Sequence, residues 1–397
     1  MAQYAPTVSL KRGIGYLGAI GAALVLGLYV RWAVGFYGID WALYSSAWRT
    51  LFSSHAVHGF GVDYESLYSP RPGGLHLYTS RPDIHMGPLS LLYGIEAPYR
   101  WAVHLEQFSQ VALGALAGRY LWKTLAARGQ QGLVAGVLIA ALAFPWLDAG
   151  VRYGHPDVTG AVLMALVGAR AIGTRRWSLL GFAFGIGCGF SMTMLLFSPM
   201  LFLAPSGRER RRVLALAAGV GLVCWLPFIV ADPATLLHMS APDGATHDSL
   251  LGAVLHHSAN RRHEDARLLQ AAACLIIGFF SYRRRGAATA LVCVGLVRVA
   301  LDESTYSYML LLLVAAGVIA DVLRAREAPL VPVSTLSCLL VVVAPLAGDG
   351  DDLARSILRS VAVAVALAFE LAPNSALRFP RPVRAPKRAM ATALEHR

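Results

Sequence analysis

Charge is scarce in this chain: Asp, Glu, Lys and Arg together make up 15% of its 397 residues. No hydrophilic block reaches the length of a separate soluble domain, which argues against a soluble globular organisation. Cysteine is scarce too. The five present, Cys188, Cys224, Cys274, Cys293 and Cys338, all sit inside apolar runs. None is spaced as CxxC, which speaks against a zinc site or a disulfide framework and for buried free thiols. The chain has no P-loop, no GxSxG elbow and no HExxH pair, and its GxGxxG match, GIGYLG at 13–18, opens an apolar run with no strand pattern before it and so is no Rossmann fingerprint. ATPase, dehydrogenase and hydrolase readings therefore lack residues, and no metal or other cofactor is specified.

What the chain has in quantity is apolar runs. Stretches of roughly 18 residues or more, each long enough to cross a hydrocarbon core, follow one another along it. The net charge of +12 invites a nucleic-acid partner. The arginines, however, stand in short clusters between apolar runs, the positive-inside signature, so membrane lipids rather than nucleic acid are the expected surroundings. Lys11 and Arg12 precede an apolar run at 13–37 that has no small-residue cleavage site. It reads as an uncleaved signal-anchor span with the N-terminus in the cytoplasm.

Residues 38–85 read as one external loop. Its opening, WALYSSAWRTLF, sets Trp41, Tyr44, Trp48 and Leu51 on one helical face, an amphipathic helix suited to the membrane surface. The apolar segment 87–98 is too short to cross and reads as re-entrant or as a helical lead-in. Further spans fall near 103–121, 132–146, 158–172, 213–230, 268–280, 287–299, 306–319, 330–346 and 357–371. The expectation is an all-α polytopic membrane protein of roughly 10–12 crossings over residues 1–372. Both termini would be cytoplasmic in a bacterial plasma membrane, with 373–397 a basic, disordered tail. The acidic and histidine-bearing segments 38–85, 147–157, 232–266, 302–303 and 349–352 then gather on the extracytoplasmic face.

One interval is too short for that pattern. About 28 residues separate Trp177 from the arginine cluster at 208–212, too few for two full crossings at 1.5 Å per residue. The spacing predicts two short helices with a glycine-rich, mildly polar apex at GCGFSMT, 187–193. A helix broken at membrane depth needs protein or a water-filled cavity around it, so a cavity is expected here.

Four groups could carry chemistry. Asp40 stands where the first span ends, either as a helix cap or as a general base facing a cavity. Tyr44 follows it as a substrate-lining candidate. Asp83 and His85, in DIHMGPL, make two metal ligands without a third, or a loop turn; a substrate-lining role is preferred. Tyr64, Tyr68 and Tyr78 could stack on sugar rings or serve as interfacial aromatics. Arg152, His155 and Asp157, in RYGHPD, form a turn and N-cap or a substrate pocket. Arg298 and Asp302 form an i, i+4 pair, with Glu303 and Tyr306 just beyond. The pair is a structural salt bridge or a snorkelling arginine, or else a grip for phosphate. The histidines His247, His256, His257 and His263 read as a hydrated loop or an acceptor-facing surface.

An acid just after the first span, an aromatic helix, a Pro-rich loop and GPL before the second span resemble the C-type-fold membrane glycosyltransferases. The likeness is to the polyprenyl-phosphate-mannose-dependent mannosyltransferases of actinobacteria. LLGFAFGIGCGFSMTMLLFSPMLFL looks like that family's short helix pair, although Ser191-Met192-Thr193 stands where the family often has lysine. DESTYSYML resembles the start of one of its late spans. The resemblance implies Asp40 as the inverting catalytic base, Arg298 facing the leaving phosphate, and a pocket drawn from the other residues named. It implies a polyprenyl-phosphate sugar donor and a cell-envelope glycan or glycolipid acceptor, with mannose or arabinose transferred. The Ala/Gly/Arg-rich composition fits such a bacterium. A transporter or flippase of a lipid-linked sugar is the alternative, although no inverted repeat is evident. A non-catalytic scaffold would leave the one-sided acids without a reason.

Overall fold

A computed structural model describes residues 44, 47, 51, 74–80, 86–93, 99–126, 133–238, 263–302, 307–325, 332–348 and 352–372. Its long helices are α1 (Tyr99–Ala126), α2 (Leu133–Leu147), α3 (Pro156–Gly173), α4 (Trp177–Phe190), α5 (Gly207–Ala231), α6 (His263–Arg285), α7 (Ala287–Ala300), α8 (Ser307–Arg324), α9 (Val333–Val343) and α10 (Asp352–Leu371). A 3₁₀ helix, Met192–Leu203, lies between α4 and α5. The described residues contain no strand.

Three described segments are long and apolar enough to cross a membrane: Val134–Tyr153, Pro156–Gly173 and Gly207–Ala231. Burial separates inner from outer ones. In α3, 72% of positions are buried, against 28% in the apolar part of α5. The inner wall of α3, Val158, Ala161, Val162, Ala165 and Ala169, shares one core with Leu311, Leu312, Ala315 and Ile319 of α8. On the outside, Val223, Val230, Leu275, Ile276 and Phe279 are each at least 70% exposed. Water would penalise such a surface; lipid tails match it.

The short hairpin expected after Trp177 is present as α4, 14 residues, and the 12-residue 3₁₀ helix. At about 2.0 Å per residue the 3₁₀ winding carries 12 residues some 24 Å, as far as about 16 α-helical residues. Neither arm covers a hydrocarbon core of about 30 Å. The break is at Ser191, whose backbone is extended and whose Oγ accepts the Thr193 N–H.

Breaking a helix there leaves carbonyls to satisfy. Ser191 N–H takes Gly187 O at 2.9 Å, and the Trp225 indole takes Cys188 O at 2.9 Å. Leu89 N–H donates to Gly189 O and Gly87 N–H to Phe190 O, each at 2.9 Å. The segment 86–93 is thus a cap in trans for α4. Gly87 is required by that approach, because a Cβ there would lie 2.3 Å from Gly189 O. On the other face of α4, Gly181 and Gly185 admit the α5 backbone: a Cβ at each would fall 2.6 Å from Val213 O and 2.8 Å from Ala217 O respectively.

The described members of the aromatic segment 41–51 differ from the surface helix expected. Positions 44, 47 and 51 are helical, Tyr44 and Ala47 are buried, and Leu51 is half-buried. They pack with Leu77, Tyr78, Met86, Trp225 and Phe228 rather than along a free interface. Tyr78 stacks near Trp225 and Phe228 and donates to Met86 O at 2.8 Å. Burial raises its phenol well above the usual range. It is not placed to stack on a sugar.

Where α3 ends, Arg176 N–H reaches back to Ala171 O and Arg175 N–H to Ile172 O. This is a Schellman closure with Arg175, at φ 56°, in the left-handed position usually given to glycine. At the same end of the bundle, helices α7 to α10 share a buried polar network. Arg324 donates to Glu370 Oε2 at 2.6 Å, to Thr289 Oγ1 at 2.8 Å and to Ser334 Oγ. Ser334 Oγ lies 2.5 Å from Glu370 Oε1. Asp321 caps α9 by accepting the N–H groups of Ser334 and Thr335 at 3.2 and 2.8 Å, and the Thr335 hydroxyl at 2.7 Å. Polar residues therefore concentrate at both ends, not only at the end where the sequence gathers its acids.

Candidate functional site

The site is built where α2 turns into α3. Past Leu147 the chain winds as a π-helix, Asp148–Tyr153, a geometry found mostly as short bulges and often at functional sites. Gly154 then takes φ 77°, a left-handed conformation that glycine adopts without strain. Pro156 opens α3 at the position that needs no N–H donor. Asp157 follows in the first turn, where the helix dipole favours a carboxylate.

Tyr44 and His155 are among the groups that hold that carboxylate. Tyr44 donates to Asp157 Oδ1 at 2.5 Å, and His155 Nδ1 lies 3.2 Å from the same oxygen. An ionised carboxylate only accepts, so Nδ1 carries the proton in that contact. The Tyr44 ring meets His155 edge-on at 6.5 Å. Tyr44, His155 and Asp157 are each at most 2% exposed.

Beside them α1 contributes Glu106 and Gln110, one turn apart. Glu106 is 3% exposed, and among the described residues neither of its oxygens has a hydrogen-bond partner. Gln110 lies close to it without meeting hydrogen-bond geometry, and its own amide nitrogen is unpartnered. Gln110 Oε1 accepts the Thr159 hydroxyl at 2.6 Å. The Glu106 carboxyl is close enough to His155 and to Tyr93 to interact electrostatically with both. Burial, and after it this carboxyl, raises the Tyr93 phenol above its usual range.

Asp157 opens onto a cavity of about 840 Å³. Ser191 and Thr193 from the hairpin apex line it near Asp157, and Gln270 and Arg298 line its wall. Most of the remainder is apolar, with Leu195, Leu196, Leu275 and Phe279 among the lining groups. It follows α6 from Gln270 to Arg283, about 20 Å of helix. The cavity expected around the broken hairpin is therefore there, between the 3₁₀ helix, α6 and α7.

Arg298 projects into it from the last turn of α7, 12% exposed. Among the described residues it meets Asp302 at 3.9 Å, a loose pairing, and Met309 Sδ at 3.5 Å. Gln270 donates to Arg298 O at 3.0 Å and fixes that turn against α6. Among the described residues these contacts leave the guanidinium with spare donors, and it lines the cavity.

The sequence candidates divide accordingly. Asp157 and Arg298 meet on one cavity. His155 and Tyr44 stand behind Asp157 and position it. Asp302 backs Arg298. Arg152 turns elsewhere, pairing with Asp148 at 3.1 Å over the Tyr153 ring. Asp40, Asp83, His85, Glu303 and Tyr306 lie outside the described residues, as do Tyr64, Tyr68, His247, His256 and His257. Glu106 and Gln110 did not emerge from the sequence reading, though an ionisable residue inside a span, in HLEQFSQ, was the available signal. Among the described residues no three His, Cys, Asp or Glu side chains are grouped to hold a metal ion. No protein-family model matches the chain, and no curated protein matches it.

Proposed function

We propose that the protein is a C-type-fold glycosyltransferase that moves a sugar from a polyprenyl-phosphate donor to a cell-envelope glycan or glycolipid outside the cytoplasm. The supporting observation is the 840 Å³ cavity, lined mostly by apolar residues, with Asp157 and Arg298 both in its lining. An isoprenoid chain suits the apolar part. An arginine fork suits the phosphate that leaves.

In this reading a carboxylate takes the proton from the acceptor hydroxyl. The oxygen attacks the anomeric carbon, and that carbon's bond to the phosphate oxygen breaks with inversion. Polyprenyl phosphate departs against Arg298. Asp40 is the base by resemblance; Asp157, held by Tyr44 and His155, orients the sugar and is the next candidate for proton transfer.

The test is a purified-protein assay with a polyprenyl-phosphate sugar and an envelope glycolipid. Asp40→Asn is expected to lower turnover about 10²–10⁴-fold, the scale of lost general-base help. Asp157→Asn is expected to lower it about 10²-fold, and Arg298→Lys to weaken donor use because the fork is lost. Wild-type rates in all three would sink the reading. One feature favours a lipid-linked-sugar flippase instead: the cavity continues to Tyr282 and Arg283, near the arginine-rich end of α6. Donor translocation in vesicles that survives Asp40→Asn, without any transfer, would decide for that alternative.

A further inference from the structure

A second cavity, of about 490 Å³, lies at the other end of the bundle, between the α3–α4 turn and the start of α5. Arg175, Arg176 and Arg212 line it. Among the described residues none of the three side chains has a hydrogen bond or ion pair. That is not the general condition of this protein's arginines. Arg210 donates to Ala204 O, Arg211 to Gly207 O, Arg170 stands over Tyr120, and Arg324 is paired with Glu370.

The acid that lines this cavity, Glu209, is already engaged. Its carboxylate accepts the Ser206 hydroxyl at 3.0 Å, and its own N–H donates back to Ser206 Oγ at 3.1 Å, a cap on α5. Three exposed guanidiniums thus line one space, and the one carboxylate in its described wall, Glu209, offsets only one of their charges. The same wall includes Trp177, Ser178 and Leu179, the first turn of α4. No side chain caps that turn, and its first helical bond is Leu180 N–H to Arg176 O, so the three N–H groups before it are uncommitted within the helix.

We propose that this cavity binds a phosphate group, carried either by an anionic lipid headgroup or by a soluble phosphate, between Arg175, Arg176 and Arg212. Guanidinium forks match phosphate oxygens in pairs, and the start of α4 adds donors of the same sign. Trp177 and the exposed Leu179 give the rim an apolar side beside the charged one. The assignment does not depend on the transfer reaction.

The experiment uses the full-length protein in neutral detergent, titrated calorimetrically with dioctanoyl phosphatidic acid, inorganic phosphate, or phosphate-free dioctanoylglycerol. Saturable binding of at least one phosphate probe, and none of dioctanoylglycerol, is expected. Binding of phosphatidic acid alone identifies the lipid headgroup as the source; binding of inorganic phosphate as well identifies a soluble phosphate site. The R176Q/R212Q variant should weaken binding about 100-fold, roughly tenfold for each charge-assisted contact removed. R176K/R212K should lose less, and R284Q/R285Q, in the cluster ending α6 and outside the lining of both cavities, should bind as wild type. Each variant is checked for a monodisperse size-exclusion profile first. The proposal is overturned if neither phosphate probe saturates, if dioctanoylglycerol binds equally, or if R176Q/R212Q binds as tightly as wild type.

Discussion

Two buried polar clusters sit at opposite ends of this helical bundle, and they are built on opposite terms. At the arginine-rich end, Arg324, Glu370, Ser334, Thr289, Asp321 and Thr335 hold one another across α7 to α10. At the other end, Asp157 is held by Tyr44 and His155, while the adjacent Glu106 carboxyl and the Gln110 amide nitrogen lack hydrogen-bond partners among the described residues. A complete network rigidifies the packing around it. An incomplete one, beside a cavity, retains capacity for a proton or a ligand at some expense in stability. The first cluster is therefore architecture, and the second is where function is to be sought.

Substitutions can break that contrast. The largest effect is expected from Glu370→Gln, which leaves Arg324 without its charge partner. Breaking a buried pair costs about 3–5 kcal/mol. Because the Arg324 side chain is 35% exposed, the lower part of that range applies. Unfolding in detergent should report it, and the double change Arg324→Met with Glu370→Leu should be milder than either alone. Next comes Gly87→Ala. Its Cβ meets a backbone carbonyl that cannot rotate away, so a cost of about 1–3 kcal/mol is expected. Unchanged thermal stability would mean that the 86–93 segment does not cap α4.

The sharpest comparison is the same chemical change at the other end. Glu106→Gln removes a carboxyl that pairs with nothing described and offers Gln110 a partner, so stability should shift by less than about 1 kcal/mol, or rise. A loss matching that of Glu370→Gln would erase the distinction between the clusters. The smallest effect is expected from Arg175→Gly. It relieves a left-handed backbone worth about 1 kcal/mol or more, but adds freedom to the unfolded chain. A net gain of about 0.5 kcal/mol should follow, and a loss would show that the arginine side chain contributes to the fold.

Several of these features were legible in the residues. The interval from Trp177 to the 208–212 arginines was too short for two crossings, and two short arms are what formed. Gly154-His155-Pro156 announced a turn into a helix, which put Asp157 at a helix start. The 3₁₀ winding of 192–203 left no such trace, since the residues could equally wind as an α-helix. The span expected near 158–172 carried no mark of the left-handed position that closes α3, which falls on Arg175. The trans cap from Gly87 and Leu89 depends on backbone groups 100 or so positions away, and no local pattern encodes it.

The sequence by itself determined that the chain is helical and apolar enough for a membrane, because length and hydropathy of each run are properties of the run. It also determined that the stretch after Trp177 must break into short arms, since segment length is a local property. Only the tertiary structure decided which polar groups meet. Tyr44 reaches Asp157 across 113 positions, Arg324 reaches Glu370 across 46, and Glu106 interacts electrostatically with His155 from another helix. Such contacts follow from how helices pack and rotate against one another. The energy of burying a polar group likewise depends on neighbours that packing supplies.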